Sequence, residues 1–192
     1  MMAGVSLPLA DNPPQRDRDS VPSGTQRPAF SVALADYGNP THAQAVVDVL
    51  DAYARDPAGG GRGLVAEVKQ GLVAAMARRP DAFSVLAWDE SAAGSPRAIG
   101  LINCFEGFST FVARPLVNVH DVAVLRAYRG QGVARAMLAL VEQEARRRGA
   151  CKLTLEVLDG NQPAMRLYQR EGFAPYALDP AWGTAVMMQK KL

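Results

Sequence analysis

The run from Val117 to Ala139, V-N-V-H-D-V-A-V-L-R-A-Y-R-G-Q-G-V-A-R-A-M-L-A, narrows the folds open to this chain more than any other stretch. An apolar strand pattern passes through a turn holding Gly130 and Gly132. It then enters a segment with Val133, Met137, Leu138, Val141 and Ala145 on one helical face. A strand feeding a glycine turn and then a helix leaves backbone N–H groups without acceptors at the positive end of the helix dipole, where an anion is stabilised. The stretch therefore reads as a phosphate cradle, and the remaining elements have to be arranged around it.

Downstream, Lys152 to Val157 reads as a strand joined to the first by that helix, so the pair should be parallel with a right-handed crossover. Asp159-Gly160-Asn161 turns the chain into a short helix, Gln162 to Glu171, which ends at Gly172. Phe173 to Leu178 and Thr184 to Gln189 read as two closing strands.

Upstream, a first strand follows Ala29, and Gly38 to Thr41 is a turn with Thr41 as the expected N-cap. Helical spacing of Ala43, Val46, Val47, Leu50 and Ala54 gives the first helix, ended by Asp56-Pro57 and a Gly59 to Gly61 hinge. Leu64, Val68, Leu72 and Ala75 mark a second helix that stops before Pro80. Phe83 to Trp88 and Arg97 to Phe105 then read as an antiparallel hairpin. The following Phe105, Phe108 and Phe111 surround Glu106 and suggest a pocket wall. The expected fold is mixed α/β (α+β): a mostly antiparallel sheet of about six to seven strands flanked by helices, with a parallel β-α-β unit at its centre.

At 192 residues the chain has room for one domain, expected over 29–192. Residues 1–28 are rich in Pro, Asp, Arg, Ser and Gln and read as a mobile tail. A net charge of +2 makes no electrostatic case for nucleic acid, and no segment is long and apolar enough to suggest a membrane span. The N-terminus lacks the pattern of a signal peptide, so a cytoplasmic location is expected. Cys104 and Cys151 have no CxxC partner and read as free thiols, and with only His42 and His120 in the chain no metal site is expected.

Two nucleotide-binding patterns fail. Gly130-Gln131-Gly132 begins like a G-x-G-x-x-G fingerprint, but Arg135 stands where the third glycine belongs, and Leu125 to Arg129 intervene where a tight turn is needed. A Walker A loop would need Gly-Lys-Ser/Thr, which is absent. Arg129-Gly130-Gln131-Gly132-Val133-Ala134 does meet the pattern Gln/Arg-x-x-Gly-x-Gly/Ala, and Asn161 to Phe173 meets N-x-x-A-x-x-L-Y-x-x-x-G-F at the expected distance. On these two motifs the chain resembles the GNAT superfamily of acetyl-CoA-dependent N-acetyltransferases.

The resemblance implies acetyl-CoA as co-substrate and a fold with the element order read above. Gly130, Gln131, Gly132, Val133, Ala134 and Arg135, with Arg129, would receive the pyrophosphate, since glycine lets the backbone approach it closely. The backbone of Val122, Ala123 and Val124 would pair with the pantetheine arm like an added strand. Asn161 would reach that arm or cap its helix, and Tyr168 would lie near the thioester sulfur as the general acid.

For the general base, His120 is the leading candidate, because histidine changes charge near neutral pH. Period-two alternation sets it on one face with Asn118, Val122 and Val124, with Asp121 opposite and structural. The strand is also similar to that of the arylalkylamine N-acetyltransferases, in which two histidines occupy the positions of Asn118 and His120. Glu106 is the other base candidate. The expected activity is acetyl transfer to a primary amine of a small molecule by direct attack on the thioester, with a peptide or protein amine, or a non-catalytic acyl-CoA-binding module, as the alternatives. A homodimer is compatible with the resemblance.

Overall fold

The computed structural model describes residues 30–91, 96–176, 179, 181, 183 and 186–191. The tail expected over residues 1–28 lies outside the described residues. In chain order the elements are β1 (Phe30–Leu34), α1 (Pro40–Arg55), α2 (Ala66–Ala77), β2 (Ala82–Asp89), β3 (Arg97–Ser109), β4 (Arg114–Val124), α3 (Val133–Arg147), β5 (Leu153–Leu155) and α4 (Gln162–Arg170). The strands form one sheet in the order β1-β2-β3-β4-β5, antiparallel up to β4 and parallel between β4 and β5. The α3 crossover accounts for that parallel pair, as the β-α-β pattern requires.

Each face of the sheet is covered by its own apolar layer. On one face Val85, Ile102, Cys104, Val117 and Val119 pack against Val133, Met137, Leu138 and Val141 of α3. On the other, Leu86, Trp88, Leu101 and Ala123 pack against Ala45, Val46 and Val49 of α1. Gly100 lets α3 lie close to the sheet, because a Cβ there would stand 2.8 Å from Met137 Cε. Cys104 and Cys151 are free thiols, the first buried in the α3 layer, where burial raises its pKa. No helix among the described residues is long and apolar enough to cross a membrane.

Four local expectations change. The N-cap of α1 is Asn39, whose side chain accepts from the amides of Thr41 and His42, because Pro40 is fixed for the first helical position and moves the helix start ahead of Thr41. The glycine run after α1 is a hydrogen-bonded turn, with Gly59 N bonding Asp56 O and Arg62 N bonding Ala54 O. The stretch from Phe105 to Leu116 is a hairpin rather than a loop: β3 continues to Ser109 and β4 begins at Arg114, so Phe105 to Ser109 are ladder positions opposite Asn118 to Arg114. Phe108 and Phe111 at that hairpin end are 61% and 98% exposed.

The fourth concerns the C-terminal end: among the described residues the sheet has five strands, against the six or seven expected. Residues 173–176 and 186–190 belong to no strand, while 177, 178, 184 and 185 lie outside the described residues. Pro175 has no N–H to give to a ladder, which works against strand pairing in the first of these segments.

Candidate active site

The site begins where β4 and β5 part. Their pairing runs only from Val117–Leu153 to Val119–Leu155, while β4 continues five residues further to Val124. At the point of parting β4 carries an extra residue. Cys104 of β3 pairs with Val119 and Asn103 with Asp121, which leaves His120 as a β-bulge.

The bulge corrects the alternation read from sequence. Val117, Val119, Val122 and Val124 all belong to the α3 layer, and Ala123 belongs to the α1 layer. Asp121 bonds to Asn103 opposite it, and the exposed His120 ring meets the edge of Phe105, 5.3 Å between centroids at 87°. Phe105 pairs with Asn118, so Asn118, His120 and Asp121 stand toward α1, and His120 is separated from Val122 and Val124 rather than aligned with them. An extra residue in one strand breaks period two at that point, which is why Asp121 is not opposite His120.

The phosphate cradle follows β4. Gly130 and Gly132 take left-handed φ of 77° and 88°, which only glycine adopts readily. Gly132 is the N-cap of α3 and supplies no side-chain cap, and Ala136 N is the first amide to find an acceptor, at Gly132 O. The amides of Val133, Ala134 and Arg135 therefore face outward at the positive end of a 15-residue helix. A Cβ at Gly130 or Gly132 would meet nothing within 4 Å, so the space over the turn is open. The donor set and the open space fit a pyrophosphate.

The charged side chains of the turn are engaged elsewhere. Arg129 donates to Val124 O at 3.0 Å and to Asp56 Oδ2 at 2.9 Å, and Arg135 pairs with Glu171 of the α4 C-terminus at 3.2 Å. Gln131 donates to Ala127 O. Asn161 caps α4, accepting from Ala164 N at 3.3 Å.

Tyr168 projects from α4 with its ring buried in the α3 layer and set edge-on to Phe173 at 5.9 Å. Tyr168 is 9% exposed, and its hydroxyl makes no hydrogen bond among the described residues. Burial, with a smaller contribution from the Tyr53 phenol, pushes its pKa up to about 12. Tyr53, half-buried on α1, is itself raised by burial first and then by the negative charges of Asp121 and Asp56. Glu106 stands apart: it pairs with Arg148 at 3.4 Å, beside the C-terminus of α3 and at the opposite end of that helix from the cradle.

A sequence profile of the acetyltransferase (GNAT) family matches residues 46–173. The chain belongs to this family. Among GNAT relatives, an uncharacterized N-acetyltransferase of Bacillus subtilis is 39% identical over 74 residues, which cover 38% of this chain and 42% of that protein. A streptothricin acetyltransferase of Streptomyces lavendulae is 40% identical over 65 residues, 34% of each chain. The chain thus spans less than half the length of these curated relatives. In fold it resembles an aminoglycoside acetyltransferase from an uncultured soil metagenomic sample, solved in complex with sisomicin, at 12% identity and a TM-score of 0.67, covering 85% of this chain and 96% of that one.

Beside the residues expected of a GNAT site, the structure brings in Tyr37, Tyr53, Ser84 and Asn103, which the sequence reading passed over, and Asp56 and Asp121, which it read as structural. Ser84 and Asn103 left a signal, since each is a polar residue inside an otherwise apolar strand run, F-S-V-L-A and L-I-N-C-F. They are 1% and 2% exposed, and a buried polar side chain in such a run needs a partner.

Proposed function

We propose that the chain is an acetyl-CoA-dependent N-acetyltransferase whose acceptor is a primary amine of a small molecule. The observation that carries this reading is the parting of β4 from β5 beside an uncapped α3 N-terminus, with Tyr168 carried by the following helix α4. Family membership supports the use of acetyl-CoA, and the name of the Streptomyces lavendulae relative supports a small-molecule amine.

When bound, the coenzyme supplies an activated acetyl thioester. The amides from Gly130 to Arg135 hold its pyrophosphate, and the free edge of β4 at Val122 to Val124 receives the pantetheine arm as an added strand. This sets the acetyl group beside the His120 bulge. His120, exposed on the α1 side, takes the proton that an alkylammonium must lose before it can attack. Tyr168 gives its proton to the departing thiolate; a phenol held near 12 is neutral and protonated at physiological pH and so has a proton to give. The pairing of Glu106 with Arg148 beside the C-terminal end of α3 favours His120 over Glu106 as the base in this reading.

A panel of alkylamines, aminoglycosides and peptides assayed for thiol release from acetyl-CoA tests the reading. Amine-dependent release with at least one small amine is expected. Binding of coenzyme A without acceleration by any amine would make the chain an acyl-CoA-binding module, and release driven by peptides alone would move the acceptor class to proteins.

A further inference from the structure

A row of four polar side chains crosses the α1 face of the sheet from strand to strand. The Tyr37 hydroxyl lies 2.8 Å from Ser84 Oγ on β2, Ser84 Oγ donates to Asn103 Oδ1 on β3 at 2.6 Å, and Asn103 Nδ2 donates to Asp121 Oδ2 on β4 at 3.0 Å. A serine hydroxyl has one proton, and this one is given to Asn103, so Tyr37 must be the donor in the first bond. Every donor in the row therefore points the same way, toward Asp121. The amide of Asn103 in the middle carries no exchangeable relay, so the row orders and polarises Asp121 instead of conducting a proton from it.

Asp121 and Asp89 are the two half-buried carboxylates without an Arg or Lys partner among the described residues, and Asp89 is satisfied on both oxygens by the hydroxyls of Ser91 and Tyr128, whereas Asp121 accepts only from Asn103. Asp51, Asp56, Asp81, Glu106, Glu142, Glu144 and Glu171 each pair with an Arg or Lys, whereas Asp121, half-buried, has no cationic partner among the described residues. One of its oxygens is held by an amide and the other is left to accept. It stands next to the His120 bulge, where β4 and β5 part, and its charge is felt by Tyr53. A half-buried carboxylate, fixed by a buried neutral chain and left without a counter-ion, is a site for a cation brought by a ligand.

We infer that Asp121 is the anion that holds the acceptor's ammonium group at the β4 bulge, and that Asn103, Ser84 and Tyr37 are its positioning residues. The inference rests on the amine acetyltransferase reading above and deepens it: the acceptor binds as an alkylammonium, with Asp121 Oδ1 accepting from its nitrogen before His120 removes the proton. Arylamines, which are uncharged at neutral pH, lose this contact and are the poorer acceptors.

Two measurements decide it. In steady-state acetylation with the fastest alkylamine of the panel, Asp121→Asn should raise the amine KM about 10- to 100-fold, the loss expected for a charge-assisted hydrogen bond, and leave the acetyl-CoA KM unchanged. Asn103→Leu, which removes only the donor to Asp121, should raise the same KM by a smaller factor and again spare acetyl-CoA. Preference for the alkylamine over an arylamine of similar size should fall in both variants. An amine KM within twofold of wild type in Asp121→Asn, or an equal loss toward the arylamine and acetyl-CoA, overturns the inference while leaving the acetyltransferase reading intact. Calorimetric titration of the coenzyme A-saturated protein with 1,4-diaminobutane provides the second test and needs no turnover. Binding that disappears in Asp121→Asn supports the inference, and a wild-type protein that binds coenzyme A but not the diamine overturns it.

Discussion

Arg129 reaches from the cradle turn to the end of α1, placing Nη2 2.9 Å from Asp56 Oδ2. The same guanidinium donates through Nε to Val124 O, so one side chain ties the turn, the end of β4 and the loop after α1 together. The Asp56 carboxyl is held below its ordinary value by the Ala58 amide first and by Arg129 next. Both partners of the pair are partly exposed, at 49% and 23%, so its energetic weight is modest. Asp56→Asn is expected to raise the Kd for coenzyme A about 2- to 5-fold by loosening the turn. Calorimetry at low and high salt checks this, since the difference between wild type and variant should shrink as salt rises.

Removal of the Tyr168 hydroxyl isolates proton donation from packing, because Tyr168→Phe keeps the ring against Phe173. The expected result is a kcat lowered about 10- to 100-fold with the coenzyme A Kd unchanged, the size of a lost general acid. With its pKa raised from 10.0 to about 12, the phenol keeps its proton as pH rises and gives it up only near the upper value. The wild-type kcat should therefore show no alkaline fall from this group below pH 10. An unchanged kcat in Tyr168→Phe would remove Tyr168 as the acid.

Gly132 and Gly149 bracket α3 with nearly the same backbone, φ of 88° and 75°, and a Cβ at either meets nothing within 4 Å. Alanine at either position should destabilise the protein by about 1 kcal/mol through left-handed strain. Only Gly132→Ala sets a methyl group over the cradle, so it alone should weaken coenzyme A binding, by about tenfold or more. Paired denaturant melts and coenzyme titrations of the two variants separate strain from ligand exclusion.

Glu144, 5% exposed, is gripped by Arg147 at 2.6 Å and Arg148 at 2.7 Å. Arg147, the larger influence on its carboxyl, is 70% exposed and screened, while Arg148 at 18% holds the pair that endures in salt. Together they bring the carboxyl from 4.5 down to about 2. A depressed folded-state value means the stabilisation is complete above about 4.5 and drains away as pH falls toward 2. Glu144→Gln should cost about 1–3 kcal/mol at neutral pH and flatten the acid limb of the stability profile, as read by urea melts between pH 5 and 2.

What could be read from the chain alone was what is local. The strand, glycine turn, helix and parallel strand from Val117 to Leu155 announce themselves through period, φ demand and crossover, and the Asn161 cap and the short helix after it follow from their own residues. Fold class was legible for the same reason. The bulge at His120 was not, because it is defined by where β3 shifts register between Asn103 and Cys104, a relation between strands that no single strand carries. That one offset moved Asp121 from a presumed structural face to the face of His120. The surroundings of Glu106 were hidden for a similar cause: its carboxylate pairs with Arg148, 42 residues away in sequence, and no local pattern foretells that pairing. The polar chain from Tyr37 to Asp121 lay between these cases, hinted at by Ser84 and Asn103 but assembled only by the register of three strands.

The extra residue in β4 also bears on how such a protein changes over generations. Because His120 is inserted between ladder positions, its removal would leave Val119 and Asp121 as ordinary neighbours in an unbroken strand, with both apolar layers still in phase. The scaffold can therefore gain or shed a reactive side chain by a one-codon insertion or deletion, without repacking either core. A chain lacking His120 would keep both apolar layers in register and lose the side chain proposed as the base, so the two cores and the proposed chemistry are separable by a single residue.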